Sequence, residues 1–324
     1  MTTQVSPHHV DWLNQGLRYY ALNVYFRHRF GGRVQKISLD GGFTCPNVDG
    51  TVAIGGCTFC SNRAFSPSRR VRRQAIQRQI EEGISRLRRR YKNERFLAYF
   101  QPATNTYGPL EKLRDLWDAA LEDPRVLGLV IGTRPDCVAD EVLDLVDQFA
   151  ERTYVSLELG VQTIHDASLE WMNRGHGHAA SLDAMRRAAG RKFDISLHIM
   201  LGLPGETHAM MMATAEQVAR WHPAGVKIHN LYAVEKTPLA DEVRAGKTRL
   251  LELDEYIHLL ADFLERLPPD VVIERVSGDA PPQDLIGPAW CLEKGEIIKR
   301  LNAEFERRGT HQGARYDAAR YQLD

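Results

Sequence analysis

The sequence predicts an α/β fold: a partial (β/α)6 TIM-like barrel of parallel strands, with an N-terminal helical segment and a C-terminal strand–helix extension. Two observations carry this. Short runs rich in Val, Ile and Leu, at 34–39, 96–100, 126–131, 154–159, 195–200 and 226–231, alternate with amphipathic helical patterns at about 71–92, 110–121, 139–151, 179–190 and 206–221. Apolar strands separated by helices read as parallel βαβ units. The second observation is size: 324 residues, 43% hydrophobic, with no Gly-, Ser- or Pro-rich linker and no repeat, suit one barrel-sized domain. A doubly wound open sheet is the alternative arrangement of the same units.

Taken in order, residues 1–33 are aromatic-rich. Trp12, Tyr19, Tyr20, Tyr25, Phe26 and Phe30 recur at helical spacing until Gly31-Gly32 stops the pattern. They are expected to form a helical segment packed on the barrel. Residues 34–270 are the expected core, with a site at the carboxyl ends of the strands. Residues 271–324 are the expected extension: a strand at 271–276, a loop at Ser277-Gly-Asp-Ala-Pro-Pro282 and a helix at 292–308.

Lys+Arg and Asp+Glu are 42 each, which argues against a chain-wide nucleic-acid footprint. The zero hides an asymmetry. Arg69 to Arg95 holds eleven Lys/Arg and three Glu, a net of +8, so the remainder sums to −8. This segment reads either as a solvated helix surface or as a dock for an acidic partner or RNA phosphates. No basic stretch followed by an apolar run opens the chain, and no apolar run approaches the roughly 20 residues that span a bilayer. The expectation is a soluble cytoplasmic protein with no membrane partner.

Five cysteines are not a disulfide framework, and three of them cluster. Cys45, Cys57 and Cys60 follow the first strand with the spacing C-x11-C-x2-C. Structural zinc wants four ligands, and no fourth Cys or His lies nearby; the next histidine is His165. Three thiolates can instead hold three corners of a four-iron cluster and leave one iron open. Gly41-Gly42 and Gly55-Gly56 let backbone approach a bulky group. Cluster, zinc and plain reduced thiols all stand as readings of the spacing.

The stretch Asp40-Gly-Gly-Phe-Thr-Cys-Pro-Asn47, continued by Asp49-Gly-Thr51 and Gly55-Gly-Cys-Thr-Phe-Cys-Ser61, resembles the radical S-adenosylmethionine (radical SAM) superfamily in its YhcC-like branch. That branch is related to the oxygen-independent coproporphyrinogen oxidases, the methylthiotransferases and the Elongator catalytic subunit. The likeness runs on through Gly132-Thr-Arg-Pro-Asp136, Glu158-Leu-Gly-Val-Gln-Thr163, Asn173-Arg-Gly-His176 and Gly202-Leu-Pro-Gly-Glu206, over roughly residues 15 to 308. The long first gap departs from the common C-x3-C-x2-C but suits this branch.

The resemblance implies one [4Fe-4S] cluster on Cys45, Cys57 and Cys60. It implies S-adenosyl-L-methionine on the open iron, cleaved to methionine and a 5′-deoxyadenosyl radical that abstracts hydrogen from a small molecule, a protein or tRNA. Such a radical needs a shielded cavity. By the same resemblance Arg174 would pair with the SAM carboxylate, as a planar fork can. Gln162, Thr133 and His198 would lie near the ribose, where relatives often carry Asp in place of His198. Gln101 would stand near the methionine amino group, although the Gly-Gly-Glu-like turn expected there is missing. A flavodoxin- or ferredoxin-type electron donor is the expected partner, docking on Arg69–Arg95. Cys137 and Cys291 read as buried thiols, and Trp290 to Lys294 as a loop that helps close the cavity. The reading from a different class is a non-catalytic zinc- or iron–sulfur-stabilised binding module.

Overall fold

Seven parallel strands lie side by side in sequence order. They are β1 (Gln35–Leu39), β2 (Phe96–Phe100), β3 (Val126–Thr133), β4 (Tyr154–Gln162), β5 (Asp194–Leu201), β6 (Gly225–Asn230) and β7 (Val272–Arg275). Each pairs in parallel with the next, from Gln35 opposite Phe96 to Val226 opposite Ile273. An order without reversal makes a partial barrel, not a doubly wound sheet. The strand foreseen at 271–276 joins this sheet as its seventh member. The computed structural model describes residues 11–70 and 73–321.

Helices α1 (Leu22–Phe30), α2 (Ile76–Tyr91), α3 (Leu110–Leu121), α4 (Asp140–Ala150), α5 (His178–Ala188), α6 (His208–Trp221), α7 (Leu253–Leu264) and α8 (Lys294–Arg308) accompany the strands. The buried faces of α2 to α8 share one core with the outer face of the sheet. Strand β4 shows how the faces divide. Val155, Leu157, Leu159 and Val161 belong to that core, whereas Glu158, Gly160 and Gln162 line the lumen. The period of two is that of a pleated strand.

The N-terminal segment is helical over Leu22–Phe30 and largely turns over 12–20, with residues 1–10 outside the described part. Trp12, Tyr20, Tyr25 and Phe26 pack against Leu97, Val130 and Val272. These three have the lumen-facing parity of their strands, so the aromatics stopper the barrel at its amino end. The segment is pinned by Trp12 Nε1 donating to Pro269 O at 2.8 Å and Ile273 N donating to Tyr20 O at 2.8 Å.

Helix α2 rides directly on β1. A Cβ at Gly83 would stand 2.4 Å from Ile37 Cγ2, and Ile37 is fully buried. Gly83→Val should therefore overpack this seam and cost about 1–3 kcal/mol. The expected result is a lower urea midpoint at an unchanged m-value.

Candidate active site

The carboxyl ends of the strands surround a cavity of about 700 Å³. Cys45, Cys57, Cys60, Gln101, Thr133, Gln162, Arg174 and His198 all line it. Eight residues spread over more than 150 positions of sequence thus share one space.

Two turns shape the cysteine loop. Val48 N and Asp49 N donate to Cys45 O at 2.7 and 3.1 Å, and Cys60 N donates to Cys57 O at 2.9 Å. Between them Gly55 and Gly56 have φ of 87° and 79°, the left-handed region that favours glycine. The loop is clamped to residues 171–175. Thr58 N donates to Met172 O at 3.0 Å, Asn173 Nδ2 to Gly56 O at 2.8 Å, and Asn47 Nδ2 to Asn173 O at 2.5 Å. Asn47 and Asn173 lay inside the quoted motifs, but nothing in their spacing marked this clamp.

Burial pushes the Cys60 thiol up to about 12, and the nearby Cys57 and Cys45 sulfurs add to the shift. Yet among the described residues no three His, Cys, Asp or Glu side chains are gathered closely enough to hold a single metal ion. Two buried arginines face the sulfurs. Arg174 Nη1 lies 3.5 Å from Cys57 Sγ, and Arg134 Nη1 lies 3.8 Å from Cys45 Sγ.

Arg174 and Gln162 meet over Gly160. Arg174 Nη2 donates to Gly160 O at 2.6 Å, and its Nε is buried without a partner. A Cβ on Gly160 would stand 2.7 Å from Arg174 Nη2 and 3.0 Å from Gln162 Nε2. The missing side chain makes room for both. Gln162 itself has φ 71°, at the point where the β4–β5 register shifts. Thr133 Oγ1 shares a 2.5 Å hydrogen bond with Thr106 Oγ1, which also donates to Cys137 O.

The profile of the radical SAM superfamily matches residues 54–218, and that of the Radical_SAM C-terminal domain matches residues 223–307. The chain belongs to the radical SAM superfamily. It is similar to the protein YtqA of Bacillus subtilis (strain 168), 39% identical over 300 residues that make up 93% of each chain. It is also similar to the protein YhcC of Escherichia coli (strain K12), 36% identical over 287 residues, 88% of this chain and 92% of that one. The archaeal Elp3 of Methanocaldococcus infernus, lacking residues 1–46, matches in structure with a TM-score of 0.64 over 86% of this chain and 64% of that one. At 17% identity that likeness concerns the fold.

His198 stands apart from the other candidates of this radical SAM enzyme. Its Nε2 lies 2.9 Å from Glu158 Oε2, deeper in the lumen than Gln162 on the same neighbouring strand. Glu158 also accepts from Lys36 Nζ at 2.9 Å and from Lys227 Nζ. Burial alone would raise the Glu158 carboxyl, but Lys227 and Lys36 hold it well below the usual carboxylate range. Burial, then the Lys227 charge, holds the His198 ring below its usual range, against the pull of Glu158. Lys36 of β1 also reaches Glu274 of β7 at 2.6 Å and so joins the two edges of the sheet. Glu158 opened one of the quoted motifs without a role of its own, and sequence patterning had not singled out Lys36, Lys227 or Glu274.

The leftover cysteines differ from each other. Cys291 is fully buried beside Tyr232 and Val234, as expected, whereas Cys137 is half-buried. Of the late loop, Lys294 reaches the cavity, while Trp290 stacks on Tyr256 and donates to Leu251 O. Among the described residues no helix is long and apolar enough to cross a membrane.

The clamp offers a test at Gly175. It has φ 71°, and a Cβ there would stand 2.5 Å from Asn47 Oδ1 and 2.6 Å from Val52 Cγ1. Gly175→Ala should displace the cysteine loop. The expected result is at least a two-fold loss of iron per chain after reconstitution, with the far-UV circular dichroism unchanged.

Proposed function

We propose that this radical SAM enzyme holds one [4Fe-4S] cluster on Cys45, Cys57 and Cys60 and binds SAM against Arg174, Gln162 and Thr133. The observation that carries the reading is the shared cavity, whose lining brings the three cysteines together with Arg174 and Gln162. The donor set fits a cluster better than zinc. Zinc asks for four donors around one ion at about 2.3 Å from sulfur, and no three are so gathered among the described residues. A cluster spreads its ligands over separate irons.

When bound, cluster and SAM together supply a 5′-deoxyadenosyl radical that takes a hydrogen atom from a substrate. The chain's own residues do the rest. Arg174 is buried, lines the cavity and is a planar fork, the shape that holds a carboxylate through two hydrogen bonds. Gln162 and Thr133 bring polar groups to the same mouth for the ribose hydroxyls, and Gln101 for the methionine amino group. The aromatic stopper and the polar floor of Lys36, Glu158, His198 and Lys227 fit a substrate that enters the lumen with a polar group leading.

The electron donor, of flavodoxin or ferredoxin type, is assigned to the cysteine-loop side. The basic segment contributes there through its beginning. Arg69 pairs with Asp40 at 2.8 Å, and the Arg73 guanidinium lies against Gly42. Helix α2 then runs back toward the start of β2, carrying Arg88, Arg89 and Arg90 to the opposite end of the barrel. Those three are assigned to solvated surface, so the Arg69–Arg95 dock narrows, among the described residues, to Arg69 and Arg73.

The test is anaerobic reconstitution. The protein should take up about four irons and form 5′-deoxyadenosine from SAM and dithionite. Cys57→Ala should abolish both. A zinc-only protein, or a cluster that never cleaves SAM, overturns the reading. Arg174→Gln should load iron yet bind SAM about ten- to a hundred-fold more weakly, the scale of a lost charged hydrogen bond. Calorimetric titration with SAM reads this directly, and an unchanged Kd removes Arg174 from the site.

A further inference from the structure

Arg134 is a buried cation beside the cysteine loop for which the reading above has no use. Its side chain is 3% exposed. Its Nε donates to Asp136 Oδ1 at 2.9 Å and its Nη2 to Asp136 Oδ2 at 2.7 Å, a two-pronged fork. That fork fixes the plane of the guanidinium and leaves Nη1 to point elsewhere. Nη1 lies 3.8 Å from Cys45 Sγ.

The surroundings hold this aim. Pro135 follows Arg134 in a short 3-10 turn, Pro135–Cys137. Cys137 N donates back to Arg134 O at 3.1 Å, and Thr106 Oγ1 donates to Cys137 O at 2.5 Å. His176 Nε2 approaches Asp136 at 3.9 Å, from the loop that clamps the cysteines. A surface ion pair would not need a turn pinned from three sides.

We propose that Arg134 is a positioning residue that sets the reduction potential of the cluster through Cys45. The inference rests on the cluster reading given above. Reduction adds one negative charge to the cluster, and hydrogen bonds to the ligating sulfurs and nearby charge govern how readily it is accepted. A guanidinium in a buried site acts there with little solvent screening. Asp136 cancels part of the charge, but it sits behind the guanidinium, which turns an N–H toward the sulfur. Arg174 stands in the same relation to Cys57, but it is the residue proposed above for the SAM carboxylate.

The experiment is a redox titration of the reconstituted protein without SAM, followed by the electron paramagnetic resonance signal of the reduced cluster. Arg134→Gln should make reduction at least ten-fold less favourable, which is a midpoint lowered by 59 mV for one electron. Arg134→Lys, which keeps the charge and loses the fork, should fall by a smaller amount. An Arg134→Gln protein with full iron content and an unchanged midpoint overturns the proposal. So does an Arg134→Gln protein that takes up no iron while Arg134→Lys keeps the wild-type midpoint, because the residue then serves folding alone. Failure of the cluster reading is separate: it appears in the unaltered protein, as absent iron or uncleaved SAM.

Discussion

Glu158 sits at the centre of the lumen and accepts from three side chains on three different strands: Lys36, His198 and Lys227. A barrel that must stay hollow cannot fill its middle with apolar side chains, so it has to line that space with polar ones. Each buried charge then needs a partner, since one left unpaired costs several kcal/mol. Glu158 and Glu274 answer Lys36 and Lys227 one for one. Because Lys36 and Glu274 lie on the two edges of the sheet, the same network also draws the open side of the barrel together. The cavity above it exists because these charges are settled below.

The mouth follows a different logic. It is built from backbone groups together with the side-chain amides of Asn47 and Asn173. Carbonyls and amides of residues 56, 58, 172 and 173 hold the cysteine loop, and glycines at 55, 56, 160 and 175 give it space to turn and approach. Charged side chains are added at the sulfurs. Arg134 and Arg174 each face one sulfur, so two of the three thiols have a buried cation at hand. Rigid loop, buried cations and charged floor are separate devices, and each can be perturbed without removing the others.

Much of this could be read in the chain. The alternation of apolar runs and amphipathic stretches located the first six strands and the helices between them, and the cysteine spacing located the mouth. The contacts at the strand ends also gathered in one cavity. The lumen network was not legible for a physical reason. In β4 the polar members Ser156, Glu158 and Gln162 alternate with Val155, Leu157, Leu159 and Val161, and a run dense in aliphatics reads as apolar throughout. Arg134 was hidden because only three dimensions bring Cys45 to it, across 89 positions of sequence. The basic segment misled for the opposite reason. Its charges are adjacent in sequence, but a 16-residue helix separates their ends by the full height of the barrel.

The aromatic stopper of Trp12, Tyr20, Tyr25 and Phe26 has a consequence for traffic. It makes the lumen a blind chamber at its amino end, with its opening at the carboxyl ends of the strands. The cysteine loop stands at that opening. The polar floor and the cysteine loop therefore share one space.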